Sequence, residues 1–193
     1  AWGYILNQDE RLVANCHKVA QSNFTKKIFS SEEIKKSLAE ICNIIWKLNK
    51  DVKIIFTVSP VRHLKDGFVE NQLSKANLIT ALHEYRKELK LKFDKKTKYF
   101  PSYEIVMDEL RDYRFYDKDM IHLSEIGIDY IWGRFKESWI APEVFSIMKE
   151  VNSIQKGLEH RPFNEDSPQH REFLEKLSLR IEKLQVKIPS IKF

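Results

Sequence analysis

The chain has 193 residues, 42% of them apolar and 32% charged, which suits one soluble globular domain with a sizeable core and room for an appendage. Its 33 basic and 28 acidic side chains are largely interleaved, so the net charge of +5 gives little support to a nucleic-acid surface. No apolar run reaches the roughly 18 residues that a membrane span needs, and nothing in the first residues reads as a signal peptide. Cys16 and Cys42 make neither a disulfide framework nor a zinc pattern, which predicts a reducing, cytoplasmic location.

The opening residues, AWGYILNQ, read as the end of a strand. Cys16 and His17 are sequence neighbours whose side chains cannot easily address each other, so they are not read as a nucleophile and its base. Ser30 and Glu33 have capping-box spacing, and Ile34, Leu38, Ile41, Ile45 and Leu48 recur as the buried stripe of the next helix. The run VKIIFTVSP, 52 to 60, is apolar on both faces and stops at proline, as expected of a covered strand in a parallel sheet. A second helix is predicted from about Lys75, with Ile79, Leu82, Tyr85 and Leu89 inward, and then a strand ending near Tyr103. The basic stretch from Arg86 to Lys98 carries acids as well and reads as a solvated helical face.

Ser124 is a candidate N-cap for a third helix, with Ile128, Ile131, Trp132, Phe135 and Trp139 on the face that packs down behind the preceding loop. Helix, strand, helix, strand, helix is the order of an α/β sheet built from βαβ units. Beyond Ala141 the pattern changes. Pro142 opens a helix bearing Val144, Ile147, Met148, Val151, Ile154 and Leu158, and Ser167-Pro168 caps another bearing Phe173, Leu174, Leu177, Ile181 and Leu184. The expected division is a sheet domain over 1–140 and a helical hairpin over 141–193.

Ligands of such sheets bind beyond the carboxyl ends of the strands. Ser59, Arg62 and His63 come after one strand, and a loop with Asp117, Asp119 and His122 comes after the next. The Asp119-Met-Ile-His122 spacing lets one segment present a carboxylate and an imidazole together. An imidazole can take and return a proton near neutrality, and a carboxylate beside it fixes the tautomer. Spacing alone favours the plainer alternative, a histidine at a helix start among solvated acids. Arg62 and His63 fit either substrate contacts or a structural turn. Ser59, His63 and Asp66 are not read as a triad, because triad members normally come from separate elements.

The runs NCHK (15 to 18), FTVSPVRHLKDGFVENQLSKA (56 to 76), YFPSYEIVMDELRDYRFYDKDMIH (99 to 122) and HRPF (160 to 163) resemble the GSCFA-domain family, a relative of the SGNH or GDSL-like hydrolases. The resemblance implies a doubly wound, mainly parallel α/β sheet of SGNH-hydrolase type, incomplete at the N-terminus, with the hairpin appended. It implies an ester hydrolase in which Asp119 orients His122, the general base, acting on a small-molecule or carbohydrate acyl ester without cofactor or metal; the strand-end location makes Ser59, Arg62 and His63 the expected substrate contacts, and composition argues against nucleic acid and membrane. The name-giving Gly-Ser-Cys-Phe-Ala block, which resembles the one bearing the nucleophilic serine, is absent from these residues. Ala1-Trp2 resembles the tail of a Gly-Thr-Ala-Trp segment near the place of an oxyanion-hole asparagine, and Leu123 stands where a proline usually comes after the histidine. The expectation is therefore the C-terminal part of a larger domain, completed by an N-terminal segment or a second chain that carries the nucleophile. The rival expectation is a non-catalytic binding or scaffold domain that holds a partner with the Ser59-to-His63 edge and the hairpin.

Overall fold

A computed structural model describes residues 1–13, 18–92 and 96–193; Cys16 and His17 lie outside them. The described chain forms two compact units, Ala1–Gly133 and Arg134–Phe193. In the first, β1 (Trp2–Leu6) lies between β2 (Arg11–Val13) and β3 (Phe24–Ile28), antiparallel to both. The strand expected at the start of the chain is present, but its sheet is antiparallel where a mainly parallel one was expected. The polar residues of β2 and β3 gave no strand signal, because both strands are fixed by their backbone pairing to β1, with Trp2 opposite Ile28 and Leu6 opposite Phe24.

The helix α1 (Ser31–Leu48) starts at the expected box: the Glu33 N–H donates to Ser30 Oγ, and the Ser30 N–H donates to the Glu33 carboxylate at 3.0 Å. The strands β4 (Ile54–Phe56) and β5 (Thr97–Tyr99) pair in parallel, joined by α2 (Phe68–Lys92), so the parallel neighbours read from the sequence are found. Both strands are shorter than read. The predicted strand to Tyr103 instead turns at Pro101 into α3 (Ser102–Glu104) and a π-turn through Ile105–Glu109, closed by the Leu110 N–H on the Ile105 carbonyl. Proline has no N–H to extend a ladder, and Ser102 Oγ, engaged with the Val58 carbonyl at 2.8 Å, turns the chain over the end of β4. The helix α2 begins earlier than the predicted Lys75, after a 3-10 turn over Leu64–Asp66. The third predicted helix is α4 (Glu125–Trp139).

Val58, Leu82 and Tyr103 form the buried centre of the first unit, with Leu38, Phe56 and Ile79 packed on it. The predicted burial is corrected at two places. Ile55 points away from that centre and stays 39% exposed, so β4 is not covered on both faces. On α1, the packed side is centred on Ile34, Leu38 and Cys42, which leaves Ile41 and Leu48 to solvent. Cys42 is fully buried, and burial raises its thiol pKa above the usual value.

In the second unit α5 (Phe145–Leu158) and α6 (Pro168–Lys187) make the predicted hairpin, with Ser167 accepting the His170 N–H as N-cap. Ile154, Leu177 and Leu184 are its buried centre. Gly157 allows the close approach: a Cβ there would meet Leu177 Cδ1 at 2.8 Å.

Ile154 has 0% exposure, so Ile154→Ala should cost about 2–5 kcal/mol through lost transfer and a residual cavity. Leu48 is 86% exposed, and Leu48→Ala should stay within about 0.5 kcal/mol. Urea unfolding of the two variants against the parent chain checks the contrast.

Candidate active site

Parallel pairing sends the chain out of β4 and β5 at the same end of the sheet. The segment after β5 reaches a loop pinned at its base by an antiparallel bridge between Tyr116 and Leu123. Within it the Asp117 N–H donates to the His122 carbonyl at 2.9 Å, and the Met120 N–H donates to the Asp117 carbonyl at 2.9 Å. Met120 lies at φ 59°, a left-handed conformation that costs a non-glycine residue roughly 1–2 kcal/mol. That turn lets Asp119 reach forward: its Oδ1 accepts the N–H groups of Ile121 (2.8 Å) and His122 (3.0 Å), and its Oδ2 lies 2.6 Å from His122 Nδ1.

The bond to His122, then the two backbone N–H groups, hold the Asp119 carboxyl down at about 2. An ionised Asp119 makes Nδ1 the protonated ring nitrogen. Nε2 is then the basic one, and it has no protein partner among the described residues. A carboxylate and the imidazole it bonds are thus brought together within four consecutive residues.

The start of α4 holds this loop in place. Ser124 caps the helix, accepting the Gly127 N–H at 3.4 Å, and its Oγ donates back to the Arg114 carbonyl at 2.8 Å. The buried position on the first turn of α4 is Gly127; of the predicted stripe Ile131, Phe135 and Trp139 are half-buried, while Ile128 and Trp132 stay 55% and 46% exposed. Gly127 lets the helix close on the loop, because a Cβ there would sit 2.8 Å from the Phe115 carbonyl oxygen.

The three residues predicted after β4 are placed differently from one another. Arg62 reaches the loop, its Nη1 donating to the Met120 carbonyl at 3.1 Å, so the two polar segments do meet. Ser59 Oγ accepts the Val61 N–H at 3.2 Å, and the Ser59 carbonyl accepts the Lys75 ammonium at 2.6 Å. The His63 N–H donates to Asn71 Oδ1, and the residue lines a cavity of about 420 Å³ with Trp2, Tyr4, Arg62 and Ile121. A second cavity, of about 410 Å³, lies between Arg62, Lys75, Tyr103 and Met120. Sequence reading missed Lys75 as a site residue, although it stands one helical turn before Ile79 on the inward stripe. Among the described residues no group of three or more His, Cys, Asp or Glu is placed to hold a metal ion, and no helix is long and apolar enough to cross a membrane.

The model of the GSCFA family matches residues 1–135. The chain belongs to that family. A second match, to the GSCFA domain protein C-terminal domain, covers residues 151–193 and so takes in the end of α5 and all of α6. No curated protein and no solved structure matches this GSCFA chain.

Gly127→Ala in this GSCFA chain should destabilise by about 1–3 kcal/mol, because a backbone carbonyl cannot yield as a side chain does. A lower melting temperature, with weakened protection of the Ser124 amide in hydrogen exchange, would bear this out. Asp119 has a folded pKa below that of an unfolded aspartate, so its contribution is complete above about pH 4 and is lost as pH falls through about 2. Carbon NMR of the Asp119 carboxyl should show a midpoint near 2; a midpoint near 4 would mean that the pair does not form in solution.

Proposed function

We propose that this chain supplies the acid–base half of an SGNH-like ester hydrolase, with the serine nucleophile outside these 193 residues. The observation that carries the reading is the Asp119–His122 contact of 2.6 Å, with the carboxylate itself fixed by two backbone N–H groups. In the complete site His122 Nε2 takes the proton from the serine hydroxyl as it attacks the ester carbonyl, and returns it to the leaving alcohol. Asp119 stabilises the imidazolium formed between the two steps and keeps the ring in one tautomer. Arg62 positions the pair by holding Met120, and His63 and Ser59 line the edge on which the ester lies. The doubly wound SGNH architecture belongs to this same reading, with further strands supplied outside the chain, and so does the cytoplasmic location.

A second reading, a binding or scaffold domain without turnover, is favoured by one observation. Ser59, on the edge after β4, already uses its hydroxyl as the acceptor of the Val61 N–H in a turn.

Turnover separates the two. The 193 residues alone should show no hydrolysis of simple aryl esters above buffer, since a base without a nucleophile gives only weak activation of water. In a protein that also carries the serine block, turnover should appear, and His122→Ala should lower kcat by about a hundredfold to ten-thousandfold. Asp119→Asn should lower it too, by releasing the wrong tautomer. Robust turnover by these residues alone, or full activity of the complete His122→Ala protein, would sink the hydrolase reading.

A further inference from the structure

Lys75 is 3% exposed, one helical turn after Asn71 and Gln72 and one before Leu78 and Ile79, and among the described residues its ammonium has only a carbonyl for a hydrogen-bond partner: Nζ donates to Ser59 O at 2.6 Å. It also lies 5.9 Å from the centre of the Tyr103 ring. Burying a cation without a counter-ion is costly, and burial lowers the pKa of Lys75 with no acid offsetting it. Such a group persists where another interaction compensates its desolvation.

The cavity of about 410 Å³ lies beside Lys75. Its volume lies within the range of small-ligand pockets, roughly 300–1,000 Å³. Lys75 and Arg62 both line it, and among the described residues no aspartate or glutamate does. Gln72 and Tyr103, which share a hydrogen bond of 3.1 Å, add neutral polar groups to the wall. Phe68, Met107 and Tyr116 add an apolar and aromatic lining. Met120, whose carbonyl Arg62 holds, is common to this wall and to the loop of His122.

We infer that this cavity is an oxyanion subsite, which takes a carboxylate or phosphate group carried on an apolar or aromatic body between Lys75 and Arg62. Two cationic residues on the wall of one partly desolvated cavity bind an anion more strongly than either would in water, and the aromatic wall accepts the body that carries it. The inference rests on the hydrolase reading in one respect only, that the oxyanion belongs to the ester substrate and so sits beside the acid–base loop. The substrate class is then an ester bearing a free carboxylate or phosphate, rather than a neutral acyl ester.

The test is binding to the 193-residue chain, with benzoate and phenyl phosphate as anionic probes and benzamide as the neutral isostere of benzoate, monitored by amide shifts in NMR titrations. Both anions should shift signals from Arg62, Lys75 and Met120, and benzoate should bind at least tenfold more tightly than benzamide. Lys75→Met, which keeps length and loses charge, should weaken benzoate at least tenfold. Equal binding of benzoate and benzamide overturns the subsite, and that comparison needs no variant to fold. So does unchanged benzoate affinity in folded Lys75→Met, or the absence of any shift at these residues up to roughly 50 mM of either anion, a concentration of the order at which a few contacts suffice. Selective benzoate binding together with no turnover in the serine-bearing protein leaves the subsite standing and removes the hydrolase reading alone.

Discussion

The parallel pairing of β4 with β5 is the constraint from which the site derives, because parallel neighbours must both leave the sheet at the same end. Phe56 and Tyr99 are opposite each other, and the Phe100 N–H continues the ladder onto the Phe56 carbonyl. Directly after that rung Pro101 lacks the donor a further one would need, and the chain leaving β4 meets Pro60 four residues on. The two segments fold over the edge instead. Ser102 fastens to Val58, Arg62 fastens to Met120, and residues separated by 58 positions come into one cluster.

Within that cluster one carboxylate has two tasks that favour each other. Asp119 Oδ1 ties the backbone of Ile121 and His122, which sets the direction of the imidazole before any ligand arrives, and Oδ2 then meets Nδ1 without further ordering. A pair built from separate elements would depend on the packing of both. Here the geometry is local, so it survives small shifts of the sheet, and the long-range contribution comes from Arg62 on the Met120 and Ile121 carbonyls and from α4 closing against Phe115 at Gly127.

Much of this was legible in the sequence because its causes are local. The capping box at Ser30, the Ser167-Pro168 helix start and the Asp119-to-His122 spacing each specify their structure within four residues. The β4–β5 pairing was legible from the apolar run at Ile54 and the order of elements around it. The features that sequence reading missed depend on partners far along the chain. The β2 and β3 residues carry no strong strand pattern and are held by β1. The periodic apolar positions Ile41, Leu48, Ile128 and Trp132 recur at helical spacing yet stay exposed, because periodicity gives a face and does not say which part of it a neighbour covers. Lys75 is the opposite case: it lies in register with Ile79 and Leu82, and a lysine in that register was a readable sign of a buried cation.

Three features near this edge cost stability where a purely structural sheet end would avoid them. Met120 holds a left-handed backbone without being glycine, Lys75 buries a cation on a carbonyl, and α4 gives up a side chain at Gly127 to approach the loop. The first two have less costly alternatives, glycine at 120 and methionine or leucine at 75, whereas Gly127 is required by the approach itself, since a Cβ there would sit 2.8 Å from the Phe115 carbonyl oxygen. Sequences that agree with their folds at every level rarely retain several such departures together unless they serve a site. All three bear on the same small region, from the imidazole of His122 to the cavity behind Met120, which is where an acid–base pair and a charged substrate group would have to be held at a fixed separation.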